Sequence, residues 1–203
     1  MELITHIYVA KLKPGTSDAQ VVDWLDAIRR LKIDGMLELA CGVDLGLREG
    51  NYDVAITADF VDAEAWHRYN DDKLHNEIRA EHAKPIVEDQ RRVQFLRSRH
   101  FEVAGDIRNV TVIDLEEGAP ADQGSKATER LRSLRCRGMH HLDAGIDLGL
   151  QTGNATAGVI CDFDSPEAYA VYDADEAHNR IREEDIKPFL DKIRRVQFEL
   201  DAD

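Results

Sequence analysis

The stretch Ile4–Leu12 alternates. Ile7 and Val9 share one side, and His6, Tyr8 and Ala10 share the other. That two-residue period is a strand's. After a turn at Gly15 the spacing lengthens, and Val21, Leu25, Ile28 and Leu31 fall on one helical stripe. Ser17 and Gln20 have capping-box spacing, which places the helix start there. A second strand follows Gly35 and runs into the loop Asp44-Leu45-Gly46-Leu47, and "YDVAITADF" reads as a third. A second helix near Asp62 carries Ala65, Trp66 and Tyr69. A short helix is expected around Lys84-Pro85, and "RRVQFL" closes the unit as strand four. The order is β-α-β-β-α-β.

The pattern then repeats. Ile4 laid on Ile107 starts a match without gaps through Phe95 on Phe198. About 35 of roughly 92 positions are identical, which marks two copies of one small domain. "GVDLGLREGN" at Gly42–Asn51 becomes "GIDLGLQTGN" at Gly145–Asn154, and "YNDDKLHNEIR" at Tyr69–Arg79 becomes "YDADEAHNRIR" at Tyr172–Arg182. The second copy's first helix is weaker: Gly124 interrupts, and Ala127, Leu131 and Leu134 carry the stripe. One copy alone would leave an apolar sheet face bare, whereas two can close face to face. The expected fold is α+β, with tandem ferredoxin-like repeats packed sheet to sheet as an intrachain α/β barrel. The expected domains are 1–98 and 105–203, joined by "RSRHFEVAGD". The chain is thus a pseudo-dimer, with further homo-oligomerisation left open.

Composition narrows the partners. The 203 residues are 43% hydrophobic, enough for real cores, and the net charge is −14. So acidic a surface repels phosphate backbones and anionic lipids, so neither nucleic acid nor membrane is expected as a partner. A small anionic ligand would need a locally basic or hydrogen-bonding pocket. No apolar run reaches membrane-span length, and the start reads as a strand rather than a secretion signal. Cys41, Cys136 and Cys161 form no CxxC pattern and read as reduced thiols of a cytoplasmic protein. No cysteine recurs in both halves, which disfavours a catalytic thiol. No GxGxxG, P-loop or tight metal-ligand spacing occurs, so no cofactor and no metal are expected.

A strand-one histidine (His6), the Gly-containing loop after strand two, Asp59-Phe60 ending strand three, and Tyr69 followed by His75 together resemble the stress-responsive dimeric α/β-barrel (Dabb) family. Asp162-Phe163, Tyr172 and His178 repeat most of that pattern, as a tandem two-domain form would. The best understood enzyme of the family is a plant polyketide cyclase that makes olivetolic acid. The resemblance implies His75 as general base, Tyr69 as the group that orients or polarises a carbonyl, and His6 lining the same cavity. The second-half equivalents are His178, Tyr172 and Asn109. Asn109 in place of His6 shows that the fold does not demand a histidine there, and points to the first half as the active one.

The chemistry is coherent. Imidazole can take a proton from a carbon between two carbonyls, and a phenol can donate to the oxygen that gains charge. A barrel interior would exclude water from a folded keto substrate. The expected activity is a cofactor-free cyclase, lyase or isomerase acting on a polyketide-like or small keto substrate. A non-catalytic stress-responsive or ligand-binding protein is the alternative, and cofactor-free oxygenation a third. Scaffold explanations stand beside each residue: core tyrosines bonded to backbone, and histidines bridging a tight turn. His140-His141 read as one exposed and one edge residue, and His67, His82 and His100 as surface residues. Arg79 and Arg182 are expected to pair with Glu81 and Glu184, or else to hold a substrate carboxylate.

Overall fold

The computed structural model describes residues 2–97 and 103–200. His100 and residues 98–102 of the connecting segment lie outside the described residues. The first half runs β1 (Ile4–Leu12), α1 (Asp18–Arg29), β2 (Met36–Val43), β3 (Val54–Phe60), α2 (Ala63–Asp71), α3 (Lys73–Ile78), a π-helical turn (Arg79–Ala83), α4 (Lys84–Ile86) and β4 (Val87–Leu96). The second runs β5 (Ile107–Leu115), α5 (Gln123–Arg132), β6 (Met139–Ile146), β7 (Ala157–Phe163), α6 (Pro166–Ala174), α7 (Glu176–Ile181), a π-helical turn (Arg182–Ile186) and β8 (Leu190–Glu199). The capping box at Ser17 is formed, with its side chain and that of Gln20 closing on each other's backbone. Asp62 and Ser165 cap α2 and α6 in the same way from one side.

Each half is one antiparallel sheet, in the order β2-β3-β1-β4 and β6-β7-β5-β8, the ferredoxin-like arrangement. They remain two separate ladders and do not join into one closed barrel. Edge meets edge all the same. β4 lies beside β6 and β2 beside β8, and loop amides of one half bond the last strand of the other: Leu45 N to Gln197 O and Leu148 N to Gln94 O, both at 2.8 Å.

The two apolar faces bury each other. Ile7, Val9, Val93 and Phe95 meet Val110, Val112, Val196 and Phe198 in one continuous core. The interior between the sheets is therefore filled, and the expectation of a substrate cavity there is overturned. Two faces that are both apolar gain most by interdigitating and leave no room. Glycines allow the approach: a Cβ on Gly42 would come within 2.7 Å of Phe198, and one on Gly145 within 2.7 Å of Phe95. Gly145→Ala is expected to cost about 1–3 kcal/mol by overpacking. A denaturation midpoint checks this, and an unchanged midpoint contradicts the packing described.

Buried carboxylates tie strands together, and the halves solve the problem differently. Asp59 accepts from Thr5 Oγ1 at 2.7 Å and pairs with Arg97. Asp162 takes a two-pronged bond from Arg108, at 2.7 and 2.9 Å. Arg108 also reaches Glu38 and Thr57 in the first half. No helix among the described residues is long and apolar enough to cross a membrane.

Candidate active site

The polar side of β1 faces the helices. The β1–β4 register sets His6 opposite Gln94, Tyr8 opposite Arg92 and Ala10 opposite Gln90. Between this face and the helices lies a cavity of about 510 Å³, the size of a small-molecule pocket. His6, Tyr69 and His75 all line it, so the three residues singled out for the first half do come together. Gln151, from the β6–β7 loop of the other half, lines it too.

His75 sits in the first turn of α3. Its backbone N donates to the capping carboxylate of Asp72 at 2.8 Å, and its Nδ1 lies 2.9 Å from the Tyr69 carbonyl oxygen. A carbonyl only accepts, so Nδ1 carries the proton and Nε2 keeps its lone pair. The ring stacks on Tyr69 with centroids 4.0 Å apart. Burial, and then the charge of Arg79, lower its pKa to about 4, so the imidazole is neutral near pH 7.

His6 has the opposite tautomer, and its cause lies in the other half. Asp147 Oδ1 accepts from Asn154 Nδ2 at 2.9 Å, which orients that amide. Asn154 Nδ2 also donates to Gln94 Oε1 at 2.7 Å, so Gln94 turns its Nε2 toward His6 Nδ1, at 2.8 Å. His6 Nδ1 therefore accepts, and Nε2 bears the hydrogen. Burial first, then His75, Arg92 and Arg79, lower His6 to about 3. One cavity thus holds two neutral imidazoles, one offering a lone pair and the other an N–H. The Tyr69 ring lies 5.8 Å from that of His6, and burial raises its pKa, so the phenol stays a donor.

The second half keeps this local chemistry without the space. His178 Nδ1 lies 3.0 Å from the Tyr172 carbonyl, Asp175 caps its amide at 2.8 Å, and the rings stack at 4.0 Å. Burial and Arg182 lower His178 to about 4. Gln197 Nε2 donates to Asn109 Oδ1 at 2.6 Å, as Gln94 does to His6. Yet the matching cavity is only about 30 Å³. Ile186 and Ile193 stand where the first half has Ala83 and Gln90, and Arg48 from the β2–β3 loop lines what is left. The repeated Tyr–His motif therefore has a structural job in both halves, holding the α2–α3 and α6–α7 corners, and a cavity in one.

Other expectations change. Arg79 does not pair with Glu81: it donates to Asn76 Oδ1 at 3.3 Å. Arg182 pairs with Asp173 at 3.6 Å rather than with Glu184. The reason is the π-helical turn, which carries both arginines toward the cavities and off the acidic outer face. A register shift between Met139 and His141 breaks the alternation at the histidine pair. His140 is exposed and paired with Asp164, and His141 is half-buried. His67 is exposed and His82 half-buried. The residues that sequence reasoning missed are Gln94, Asn154 and Asp147, which set the His6 tautomer, and Trp24 and Arg92 of the wall. The signal was present in the two most similar stretches, "DLGL" with its following "GN", and "RRVQF".

Residues 4–95 and 107–200 each match the family described as the Stress responsive A/B Barrel Domain, Dabb. The chain belongs to that family. It is a tandem Dabb protein whose two domains form a pseudo-dimer within one chain. No curated protein matches it. Among solved structures, an anthrone oxidase-like protein superposes with a TM-score of 0.68 at 13% identity, over 99% of this chain and 92% of that one. A putative monooxygenase from Fusobacterium nucleatum gives 0.64 at 13%, over 98% and 92%. At such identities the likeness shows the fold alone. A dimeric ferredoxin-like protein of unknown function from Thermobifida fusca is 31% identical over 47% of this chain and 92% of its own, with a TM-score of 0.45.

Proposed function

We propose that the first Dabb domain is a cofactor-free cyclase, lyase or isomerase acting on a polyketide-like or small keto substrate. One observation carries the reading: a single cavity places a neutral His75 with a free Nε2 lone pair together with a His6 whose Nε2–H is available to donate. His75 Nε2 takes a proton from a carbon flanked by two carbonyls. The C–H electron pair moves into an enolate, whose oxygen accepts from His6 Nε2–H and the Tyr69 hydroxyl. The enolate carbon then attacks a distal carbonyl of the same molecule. The new alkoxide recovers the proton from His75, which returns it neutral. The depressed pKa keeps the base unprotonated, and the cavity walls hold the chain folded for attack. A cytoplasmic location is part of the same reading, supported by three free cysteines.

The test is deuterium exchange at C2 of a β-keto N-acetylcysteamine thioester, followed by NMR in mildly acidic D2O, where spontaneous exchange is slow. The wild-type chain is expected to accelerate exchange. His75→Asn keeps an amide N–H for the Tyr69 carbonyl but has no base, and is expected to lose about 10²-fold or more of that rate. No acceleration by the wild-type chain, in spite of binding, favours the alternative of a non-catalytic ligand-binding or stress-responsive protein.

A further inference from the structure

Arg79 and Arg92 both line the first-half cavity. Arg79 donates to Asn76 Oδ1 at 3.3 Å, and Arg92 to Asn154 Oδ1 at 3.2 Å and the Thr152 carbonyl at 3.3 Å. Neither has a carboxylate in ion-pair contact among the described residues. Burial first, and then the charge of Arg79, lower the pKa of Arg92, against smaller opposing effects that include the Asp147 carboxylate. The chain has 40 acidic and 26 basic residues, so carboxylates are not scarce. Lys84 and Glu88 line the cavity too, so its wall carries three cations and one carboxylate, and an anionic ligand would offset the excess.

The second half shows what supplies it there. Asp173 pairs with Arg182 at 3.6 Å and also with Arg48. Asp173 stands at the position of Asn70 in the first half, and Arg48 at that of Gln151. At this position the smaller pocket has a carboxylate next to its arginines, where the larger one has an amide. A second feature belongs to the first half alone. The indole N–H groups of Trp24 and Trp66 are buried without partners, and both rings line the cavity. The second half has Ala127 and Tyr169 instead.

We propose that the first-half cavity binds an apolar carboxylic acid in its ionised form, with the carboxylate held between Arg79 and Arg92 and the apolar body against Trp24 and Trp66. This names the substrate class of the proposed reaction site, an acid-bearing keto compound or its cyclised product. It rests on that cavity's being a ligand site and not on His75's acting as the base.

The two tryptophans of the chain both line the cavity, so intrinsic fluorescence reads its occupancy. The probes are 4-phenylbutanoate and its neutral analogue 4-phenylbutanamide, titrated at neutral pH and low salt. The acid is expected to bind at least about tenfold more tightly than the amide. Arg79→Gln and Arg92→Gln are each expected to erase most of that preference while leaving amide binding in place. Arg92→Lys, which keeps the charge, is expected to retain much of it, and melting curves check that the variants fold. Equal affinity for acid and amide overturns the carboxylate clamp and leaves the reaction-site reading standing. A preference that survives the Arg79→Gln/Arg92→Gln double variant overturns it as well, by placing the anion elsewhere. Binding of neither probe overturns both.

Discussion

Arg108→Met is expected to cost about 3–5 kcal/mol of folding stability, measured by chemical denaturation. Arg108 is among the most deeply buried large side chains. It grips Asp162 with two hydrogen bonds and reaches across to Glu38 and Thr57 of the other domain. Removing it strands two carboxylates, one fully and one largely buried, and their lost partner matters more than the lost packing. Neutralising those acids in the triple variant Arg108→Met/Asp162→Asn/Glu38→Gln is expected to recover much of the loss. A single variant within about 1 kcal/mol of wild type would show that the cation is not what holds this junction.

Acid is the second large lever. His6, His75 and His178 have folded pKa values lowered to about 3, 4 and 4, chiefly by burial. In the unfolded chain they titrate near 6.5. Between those values the unfolded state binds protons that the folded state does not, so stability falls as pH falls. The loss begins near pH 6.5 and is complete only below the folded values. Each group contributes a slope of about 1.4 kcal/mol per pH unit in that window, and the three together a slope of up to about 4 kcal/mol per pH unit. The melting temperature is thus expected to fall between pH 6.5 and 5, before ordinary carboxylates protonate. His178→Asn, which keeps a donor for the Tyr172 carbonyl, is expected to remove about one third of that slope. A melting temperature that is flat from pH 7 to 5 contradicts the burial of neutral imidazoles.

Much of this fold was legible in the sequence. The gap-free duplication, the alternation of Ile7 and Val9 against His6 and Tyr8, and the capping box at Ser17 each led to the element observed. The family resemblance brought His6, Tyr69 and His75 to one site. The location of that site was not legible. Alternation separates two faces of a strand but does not say which face closes without space, and here the apolar one did. The asymmetry of the cavities was only half visible. His6 against Asn109 was the contrast noticed, yet both accept from a glutamine in the same network. What separates the halves is bulk and charge: Ile186 for Ala83, Ile193 for Gln90, and Arg48 with Asp173 in the place of Gln151 with Asn70. Long-range relays such as Asp147–Asn154–Gln94–His6 join residues far apart in the chain, and no local spacing reveals them.

The central claim is that one Tyr–His pair is scaffold alone, whereas its twin is scaffold with a cavity in front of it. The most direct measurement compares His75→Asn and His178→Asn in the deuterium-exchange assay. Both substitutions keep an N–H for the tyrosine carbonyl, so their folding costs are expected to match. His75→Asn is expected to lose about 10²-fold or more of the exchange rate, and His178→Asn to stay within about twofold of wild type. Equal losses in the two variants, or an unaffected rate in His75→Asn, would contradict the account.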